Sequence, residues 1–401
     1  MSYAGQGLDI REMSLPHAIE VGIVGELDPD RPTIVMLHHG LGSVSAWREF
    51  PESIARATGL ATVAYSRRGY GRSAATGTLP WPASFMHDEA EGDLPRLLQA
   101  LDIRQPILLG HSDGASIALI YAAAQTRPRP LGTVLLAPHV HVEAVTLTGA
   151  RQAAVDFKAG DLRARLARHH RDPEAAFRGW NETWLSEDFR GWNIEQLLDS
   201  VHCPVLVVQG LADPYGSLAQ VRPIRERVAA PVEVLLIAGG GHAPERERPL
   251  ETIDSVVAFA AELDDSPATL PARIYHLTTA EELRAGLDPN RYAAAHLEAE
   301  GFVHCTSSPA TTLAVADDLF AGDAPLVLQI DSARLGAAVK MEPPAPVAGR
   351  TAHRRFASSF PHVYGTIDRM AICAIGKLER AHDRFVWPRE LLPVDEALER
   401  I

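Results

Sequence analysis

A serine flanked by glycines lies where an apolar segment meets a helix-favouring one. Residues 108–115 read LLGHSDGA, in which Gly110, Ser112 and Gly114 form a G-x-S-x-G motif between the apolar runs PILL and ASIALIYA. In a nucleophile elbow, a buried strand turns sharply into a helix, a strained backbone exposes the serine hydroxyl, and the glycines allow strand and helix to approach closely. The pattern therefore predicts Ser112 as the nucleophile of an acyl-transfer reaction.

An elbow serine needs a base and an orienting acid, which follow it in the order acid, then histidine. The segment CPVLVVQGLADPYG (203–216) is a predicted buried strand that ends in a loop with Asp213. The segment VEVLLIAGGGHAPERERP (232–249) is another predicted strand, and its glycine-rich loop contains His242. Because ligands bind at the carboxyl ends of the strands in an open α/β sheet, these positions predict a triad of Ser112, Asp213 and His242.

Acyl transfer also needs two N–H donors for the oxyanion. The segment PTIVMLHHGLGS (32–43) is a predicted strand and loop that brings the amide of Leu41 beside the serine. The second donor is the amide of Asp113, which begins the helix after the elbow and lies at its positive end. His38, next to the oxyanion loop, is interpreted as a packing and hydrogen-bonding residue rather than a second base.

Residues 1–263 resemble the α/β-hydrolase-fold proteins of bacteria. The resemblance rests on the motifs HHGLG, YSRRGYGRS, GHSDGA, QGLADPYG and GGGHAPERERP. It implies an α/β fold with a mostly parallel sheet, helices on both faces and a helical cap, with Ser112 as nucleophile, His242 as base and Asp213 as its orienting acid. Asp113 departs from the commoner GHSMG and GHSLG patterns. Local hydrogen bonds are expected to fix its carboxylate, or alternatively it influences which substrate charge is preferred.

A mainly helical segment with clustered aromatic residues is predicted at about 139–200. In α/β-hydrolases an insertion at this point forms a cap that influences substrate choice. Its aromatic side chains fit an apolar substrate pocket, or alternatively they hold the cap on the sheet; they are Trp180, Trp184, Phe189 and Trp192. The predicted pocket residues are His38, His111, Trp180, Trp184, Trp192 and Pro214.

Three residues at the start of this segment alternate as on one face of a strand: His139, His141 and Glu143. They suggest a metal site, but the predicted triad already accounts for catalysis, so neither a metal nor a cofactor is expected. The expected reaction is hydrolysis of a carboxylic ester or thioester of a small apolar substrate through an acyl-enzyme. The triad alone does not distinguish ester, thioester, lactone and carbon–carbon bond cleavage. A hydrolase fold used as a non-catalytic binding module is one alternative.

Length and composition suggest the protein class. A chain of 401 residues predicts two domains. Its net charge of -13 argues against a nucleic-acid surface, so no nucleic-acid partner is expected for the first domain. A small-molecule substrate is expected there, and the oligomeric state is left open. The three cysteines have no paired spacing, which is typical of a reducing cytoplasm. The first residues, MSYAGQGLDIREM, lack an export signal, and no apolar stretch is long enough to span a membrane.

A second domain is predicted at 273–401, after a polar linker at 264–272. Its short strands and helices indicate an α+β fold, and about residues 273–388 resemble the domain of unknown function 952 family through YHLTT, EGFVHCTS and FPHVYG. A grouping of that family with ADP-ribosyltransferase-like folds implies a nucleotide-type cleft and, as a further alternative, a bifunctional protein. The implied cleft residues are His276, Thr278, His304, Ser307, His362 and Tyr364, with Glu342 as an acid. Alternatively, the histidines are hydrogen-bonded core residues.

Overall fold

The computed structural model describes residues 7–124, 126–263, 270–320, 324–342, 360–381 and 384–400. The chain divides into two compact units. One unit comprises Met1–Val232 and Gly240–Glu247, and the other comprises Glu233–Gly239 and Arg248–Ile401. Residues 264–269 of the predicted linker lie outside the described residues, so the predicted boundary at 264–272 stays a prediction.

An eight-stranded, mostly parallel sheet is formed by strands from the first 237 residues. Its strands are β1 (Asp9–Ser14), β2 (Ala18–Val24), β3 (Thr33–Leu37), β4 (Ala61–Tyr65), β5 (Pro106–His111), β6 (Gly132–Leu136), β7 (Val205–Gly210) and β8 (Val232–Ile237). Their order in the sheet is β1-β2-β4-β3-β5-β6-β7-β8. Strands β1 and β2 pair antiparallel, as do β2 and β4, whereas β4, β3, β5, β6 and β7 run parallel. The predicted α/β-hydrolase fold is confirmed.

Burial explains why the central strands are nearly continuous apolar runs. Every residue of β3, β4, β5, β6 and β7 is buried. A parallel strand covered on both faces shows no alternation of polar and apolar residues. The three predicted triad residues follow β5, β7 and β8, so the sheet delivers them to the same edge.

Helices alternate with these strands. They are α1 (Phe50–Thr58), α2 (Phe85–Asp88), α3 (Leu94–Ala100), α4 (Asp113–Ala123), α5 (Ala144–Ala159), α6 (Leu162–Leu166), α7 (Pro173–Trp184), α8 (Leu218–Arg227), α9 (Pro244–Glu247) and α10 (Pro249–Leu263). Helices α5, α6 and α7 all lie between β6 and β7, within the segment predicted as a cap. The Asp172 side chain accepts a hydrogen bond from the amide of Ala175 and so caps α7.

The second unit contains small antiparallel sheets. Its remaining strands are β9 (Arg273–Thr278), β10 (Arg291–Tyr292), β11 (Val303–His304), β12 (Leu326–Asp331), β13 (Ala338–Glu342), β14 (Phe360–Tyr364), β15 (Ile367–Asp368), β16 (Ile372–Lys377), β17 (Glu379–Ala381) and β18 (Arg384–Val386). They form the sheets β16-β12-β9, β11-β14-β13, β10-β15 and β17-β18. The helices are α11 (Ala280–Gly286), α12 (Leu297–Glu300), α13 (Pro309–Leu319) and α14 (Val394–Arg400). This is the predicted α+β pattern.

Among the helices formed by the described residues, none has both the length and the apolar character needed to cross a bilayer. The expected cytoplasmic location stays a prediction.

Candidate functional site

Ser112 lies at a strained turn between β5 and α4. Its backbone angles are φ 55° and ψ −118°, a conformation that non-glycine residues rarely adopt. The flanking glycines leave room for this turn. A Cβ on Gly110 would lie 2.2 Å from the carbonyl oxygen of Gly114, and a Cβ on Gly114 would lie 2.1 Å from the carbonyl oxygen of Leu37. The sequence motif therefore has the geometry of a nucleophile elbow.

Asp213 and His242 form a hydrogen-bonded pair at the same sheet edge. Nδ1 of His242 donates to the Asp213 carboxylate, 2.9 Å from Oδ1 and 2.8 Å from Oδ2. The amide of Tyr215 and Nε2 of Gln209 also donate to this carboxylate, at 2.7 Å and 3.0 Å. Burial raises the pKa of Asp213, but these hydrogen bonds outweigh burial and lower it to about 2. The carboxylate therefore stays ionised near neutral pH and leaves Nε2 of His242 without a proton when the ring is neutral.

Ser112 and His242 line one cavity of about 180 Å³. The remaining lining residues are His39, Gly40, Leu41, His111, Asp113, His139, Thr146, Trp180, Trp184, Tyr215, Ala243 and Arg246. The structure thus brings together the predicted nucleophile, the predicted base, both predicted oxyanion donors and three of the predicted pocket residues. Asp213 lies behind His242, to which it is hydrogen-bonded.

The two predicted oxyanion donors differ in their present partners. Asp113 is the first residue of α4, so its amide is one of the N–H groups that have no partner within the helix and lie at its positive end. The amide of Leu41 donates to Nδ1 of His39 at 3.2 Å. The Leu41 amide must therefore leave His39 before it can bind an oxyanion.

Local contacts hold the Asp113 carboxylate, the first of the two roles considered for it. Nε1 of Trp184 donates to Asp113 Oδ1 at 3.2 Å, and Nη2 of Arg67 lies 3.9 Å from Oδ2. Burial raises the pKa of Asp113, while Arg67 and the Trp184 hydrogen bond oppose that shift. The departure from the common elbow sequence therefore connects the elbow to the helical segment through Trp184.

Two buried imidazoles flank the His242 ring. The rings of His111 and His139 lie 5.2 Å and 5.7 Å from it. Burial, followed by repulsion from His242, lowers the pKa of each flanking histidine to about 3. Both are therefore neutral near pH 7, so they surround the base without adding charge beside it.

Three predicted pocket residues lie away from the cavity lining. His38 is buried, and its Nε2 accepts a hydrogen bond from the amide of Arg67 at 3.1 Å, in agreement with its interpretation as a packing residue. Trp192 stacks on Phe189 at 5.3 Å. Its neighbour Trp184 reaches the cavity instead. Tyr215 lines the cavity where Pro214 was predicted.

Several lining residues were not predicted. His39 belongs to the HHG motif, where only its neighbours were considered. Tyr215 directly follows the predicted Pro214 and lies 4.7 Å from the His242 ring. Arg246 lies in α9, just after His242, within the segment GHAPERERP that was recognised in the sequence. In each case the motif was recognised, but the side chain facing the cavity was not.

The three residues considered for a metal site are held by different partners. His139 packs against Trp184 with the ring centroids 5.2 Å apart. Nδ1 of His141 lies 2.9 Å from Oε1 of Glu195. Glu143 accepts hydrogen bonds from Ser217 and Gln220. The predicted alternation on one face therefore does not produce a shared site.

In the second unit, most of the predicted cleft residues are close together. The His304 ring lies 5.3 Å from that of His362, and Phe302 stacks on His362 at 4.3 Å. Glu342 accepts from His362 Nδ1 at 3.0 Å and from the Tyr364 hydroxyl at 2.7 Å.

The remaining predicted cleft residues have different hydrogen-bond partners. His276 Nδ1 donates to the carbonyl of His304 at 2.8 Å, and Thr278 Oγ1 lies 2.9 Å from the Tyr292 hydroxyl. Ser307 is buried, without a hydrogen bond to this group among the described residues. Sequence reasoning missed Glu300, whose Oε2 lies 2.5 Å from His304 Nε2, and His296, whose ring lies 5.2 Å from His304.

Comparisons with known proteins agree with this architecture. The chain is 24% identical over 259 residues to the sn-1-specific diacylglycerol lipase ABHD11 of Danio rerio, which covers 57% of this chain and 78% of the relative. It is 33% identical over 120 residues to a proline iminopeptidase of Lactiplantibacillus plantarum, covering 29% of this chain and only 39% of that relative. A solved structure, MGS-M2, an alpha/beta hydrolase enzyme from a Medee basin deep-sea metagenome library, matches with a TM-score of 0.51 and 19% identity. It covers 63% of this chain and 96% of that chain, and shows the shared fold.

Family models match both parts of the chain. Residues 277–375 match the family described as a protein of unknown function (DUF952). Residues 34–255 match the family described as the alpha/beta hydrolase family. Since the second match spans more than half of the 401 residues, this chain belongs to the alpha/beta hydrolase family.

Proposed function

We propose that the protein is a serine hydrolase that cleaves a carboxylic ester or thioester with a small apolar acyl group. The observation that supports this most directly is the shared cavity, in which Ser112 on its strained turn and His242 on its Asp213 support both face the same space. A base that is hydrogen-bonded to an acid and shares a cavity with a serine, all after the carboxyl ends of three strands, is the arrangement used for acyl transfer by a catalytic triad.

In the proposed reaction, Nε2 of His242 takes the hydroxyl proton of Ser112 as Oγ attacks the carbonyl carbon. The carbonyl π electrons move to oxygen, and the amides of Asp113 and Leu41 stabilise the resulting oxyanion by about 3–4 kcal/mol for each donor. The tetrahedral intermediate collapses, and the protonated His242 gives its proton to the departing alcohol or thiol. A water molecule then repeats the sequence, releasing the acid and restoring the Ser112 hydroxyl.

The cavity supports a small apolar acyl group. Its volume of about 180 Å³ is below the ~300–1,000 Å³ typical of sites for drug-sized ligands. Trp180, Trp184 and Tyr215 supply aromatic walls. A short or compact acyl chain would bury its apolar surface against them, which stabilises the complex by about 25 cal/mol for each Å² removed from water.

The relatives suggest two kinds of bond, ester and peptide. An iminopeptidase substrate carries an ammonium group, and a buried ammonium needs a carboxylate partner. Asp113 supplies the one carboxylate among the cavity-lining residues of the described chain, and it already accepts from Trp184. This lining disfavours an acyl group that carries an ammonium, and the name of the lipase relative points to an ester bond.

A panel of acyl chain lengths tests this proposal. We would measure kcat/KM for p-nitrophenyl esters and matched acyl thioesters with the wild type and with Trp180→Ala. Trp180 lines the cavity and lies next to Gly40, so its removal is expected to shift the optimum to longer chains. The matched control is Trp192→Ala, a tryptophan away from the lining, which is expected to keep the wild-type optimum. A preference of the wild type for charged acyl groups, or for aminoacyl amides, would contradict the proposal.

A further inference from the structure

A group of two imidazoles and one carboxylate lies in the second unit, separate from the candidate hydrolase site. His296 precedes α12, Glu300 ends it, and His304 lies on β11, so the three residues are spaced four apart in the sequence. One ligand atom from each lies within 4.8 Å of the ligand atoms of the other two. Among the described residues this is the one group of three or more potential metal ligands at such distances.

One imidazole nitrogen of this group makes no hydrogen bond to the described residues. Nε2 of His296 is buried and has no hydrogen-bond partner among the described residues. Leaving a buried polar atom without a partner destabilises the folded state, so such atoms usually bind a water molecule or an ion. The neighbouring Nε2 of His304 and Oε2 of Glu300 lie 2.5 Å apart and supply the other two ligand atoms.

We propose that His296, Glu300 and His304 bind a divalent transition-metal ion of the Zn²⁺ class. Two imidazole nitrogens and one carboxylate oxygen suit Zn²⁺, whereas Mg²⁺ and Ca²⁺ prefer oxygen ligands alone. Bonds of about 2.0–2.2 Å in a tetrahedral site place ligand atoms roughly 3.4 Å apart. The His304–Glu300 hydrogen bond therefore opens by about 1 Å, and the ring proton of His304 moves from Nε2 to Nδ1 as Nε2 binds the ion.

The surroundings are those of a site with an open fourth position. Three protein ligands are the number found in zinc sites that leave one position for water or a substrate. The His362 ring lies beside His304, and its Nδ1 donates to Glu342 at 3.0 Å. Nε2 of His362 is likewise buried without a partner among the described residues. Nε2 of His362 is thus available to accept a hydrogen bond from a donor, such as water, in the open fourth position.

The test is metal binding by the full chain, with any purification tag removed and the protein first dialysed against a chelator. Titration with Zn²⁺ in the presence of a chromogenic competitor is expected to give one ion per chain. Co²⁺ is expected to give the visible absorption of a four-coordinate site without the near-ultraviolet band of a thiolate ligand. This readout distinguishes the proposed ligands from the free cysteines, of which Cys305 adjoins His304.

Variants connect the ion to the proposed residues. His296→Ala and Glu300→Gln are each expected to weaken Zn²⁺ binding by at least about 10- to 100-fold, the loss typical when even an outer-shell partner is removed. The matched control is His141→Ala, which removes another histidine paired with a glutamate, 2.9 Å from Glu195 in the first unit, and is expected to bind Zn²⁺ like the wild type. Circular dichroism checks that each variant is folded.

Two outcomes would overturn the proposal. One is a folded wild-type chain that binds no Zn²⁺ above the affinity of the competitor. The other is tight binding that folded His296→Ala and Glu300→Gln retain, which would place the ion on other residues.

Discussion

Nε2 of His111 donates a hydrogen bond to the backbone carbonyl of His242 at 2.6 Å. The residue that precedes the candidate nucleophile therefore holds the loop that carries the candidate base. Since this bond uses the His111 ring as a donor, it also requires the proton on Nε2. The two halves of the candidate site are positioned by one side chain that performs no proton transfer of its own.

The first prediction concerns this hydrogen bond. His111→Leu removes the donor and leaves an apolar side chain that partly fills the same space, so the His242 loop loses this hydrogen bond to β5. We expect kcat to fall about 10- to 100-fold with little change in KM, since a displacement of about 1 Å can cost 100-fold in rate. His111→Gln, which retains an N–H donor, is expected to recover part of kcat. Equal kcat values for the wild type and a folded His111→Leu would show that the bond has no positioning role.

The second prediction concerns the pH dependence of stability. Glu245 is buried, with Oε1 3.6 Å from Nδ1 of His111, and burial raises the pKa of its carboxyl from 4.5 to about 7. Between these values the folded chain keeps a proton that the unfolded chain loses, so the free energy of unfolding falls as pH rises from 4.5 to 7. Glu245→Gln removes this loss. The free energy of unfolding of Glu245→Gln, taken relative to that of the wild type, is expected to be about 3 kcal/mol higher at pH 8 than at pH 4.5.

Urea unfolding at the two pH values measures this difference. Glu226→Gln is the control, because it makes the same substitution at an exposed position. A Glu245→Gln variant whose effect is the same at pH 4.5 and pH 8 would contradict the assigned pKa.

The third prediction concerns the close approach at the elbow. A Cβ on Gly114 would lie 2.1 Å from the carbonyl oxygen of Leu37 and 2.8 Å from that of His38, so backbone must move to accept it. Gly114→Ala is expected to lower the free energy of unfolding by about 1–3 kcal/mol, the usual cost of overpacking. Gly191→Ala is the control, since nothing lies within 4 Å of a Cβ there. Urea unfolding measures both variants, and equal losses of unfolding free energy would show that the close approach at Gly114 does not limit the side chain there.

The placement of Ser112, Asp213 and His242 after three strands of one sheet could be predicted because it depends on local signals. Strand-like runs ending at Ser112, Asp213 and His242 define one sheet edge, whatever the rest of the chain does. The cap was harder, since a helical pattern specifies which side chains are apolar and not which of them reach the cavity. Trp184 faces the cavity and Trp192 packs against Phe189, although both belong to the same aromatic cluster.

The group of His296, Glu300 and His304 in the second unit was harder to predict from the sequence. His304 was selected through its motif, but His296 and Glu300, which lie at the two ends of the short helix α12, form no recognisable metal-binding pattern. Their meeting depends on the turn after α12, where Gly301 adopts a φ of 84° and redirects the chain into β11. A left-handed residue of this kind is favoured by glycine, yet the glycine alone does not indicate which side chains it brings together.

The central claim is that Ser112 is an activated nucleophile, and covalent labelling tests it most directly. The folded full-length chain would be treated with a fluorophosphonate probe, and the labelled peptide identified by mass spectrometry. We predict modification at Ser112 in the wild type, none in Ser112→Ala, and full labelling in the control Ser116→Ala, which changes a buried serine within α4. A folded wild type that takes up no probe, or a Ser112→Ala variant labelled as strongly as the wild type, would contradict the account.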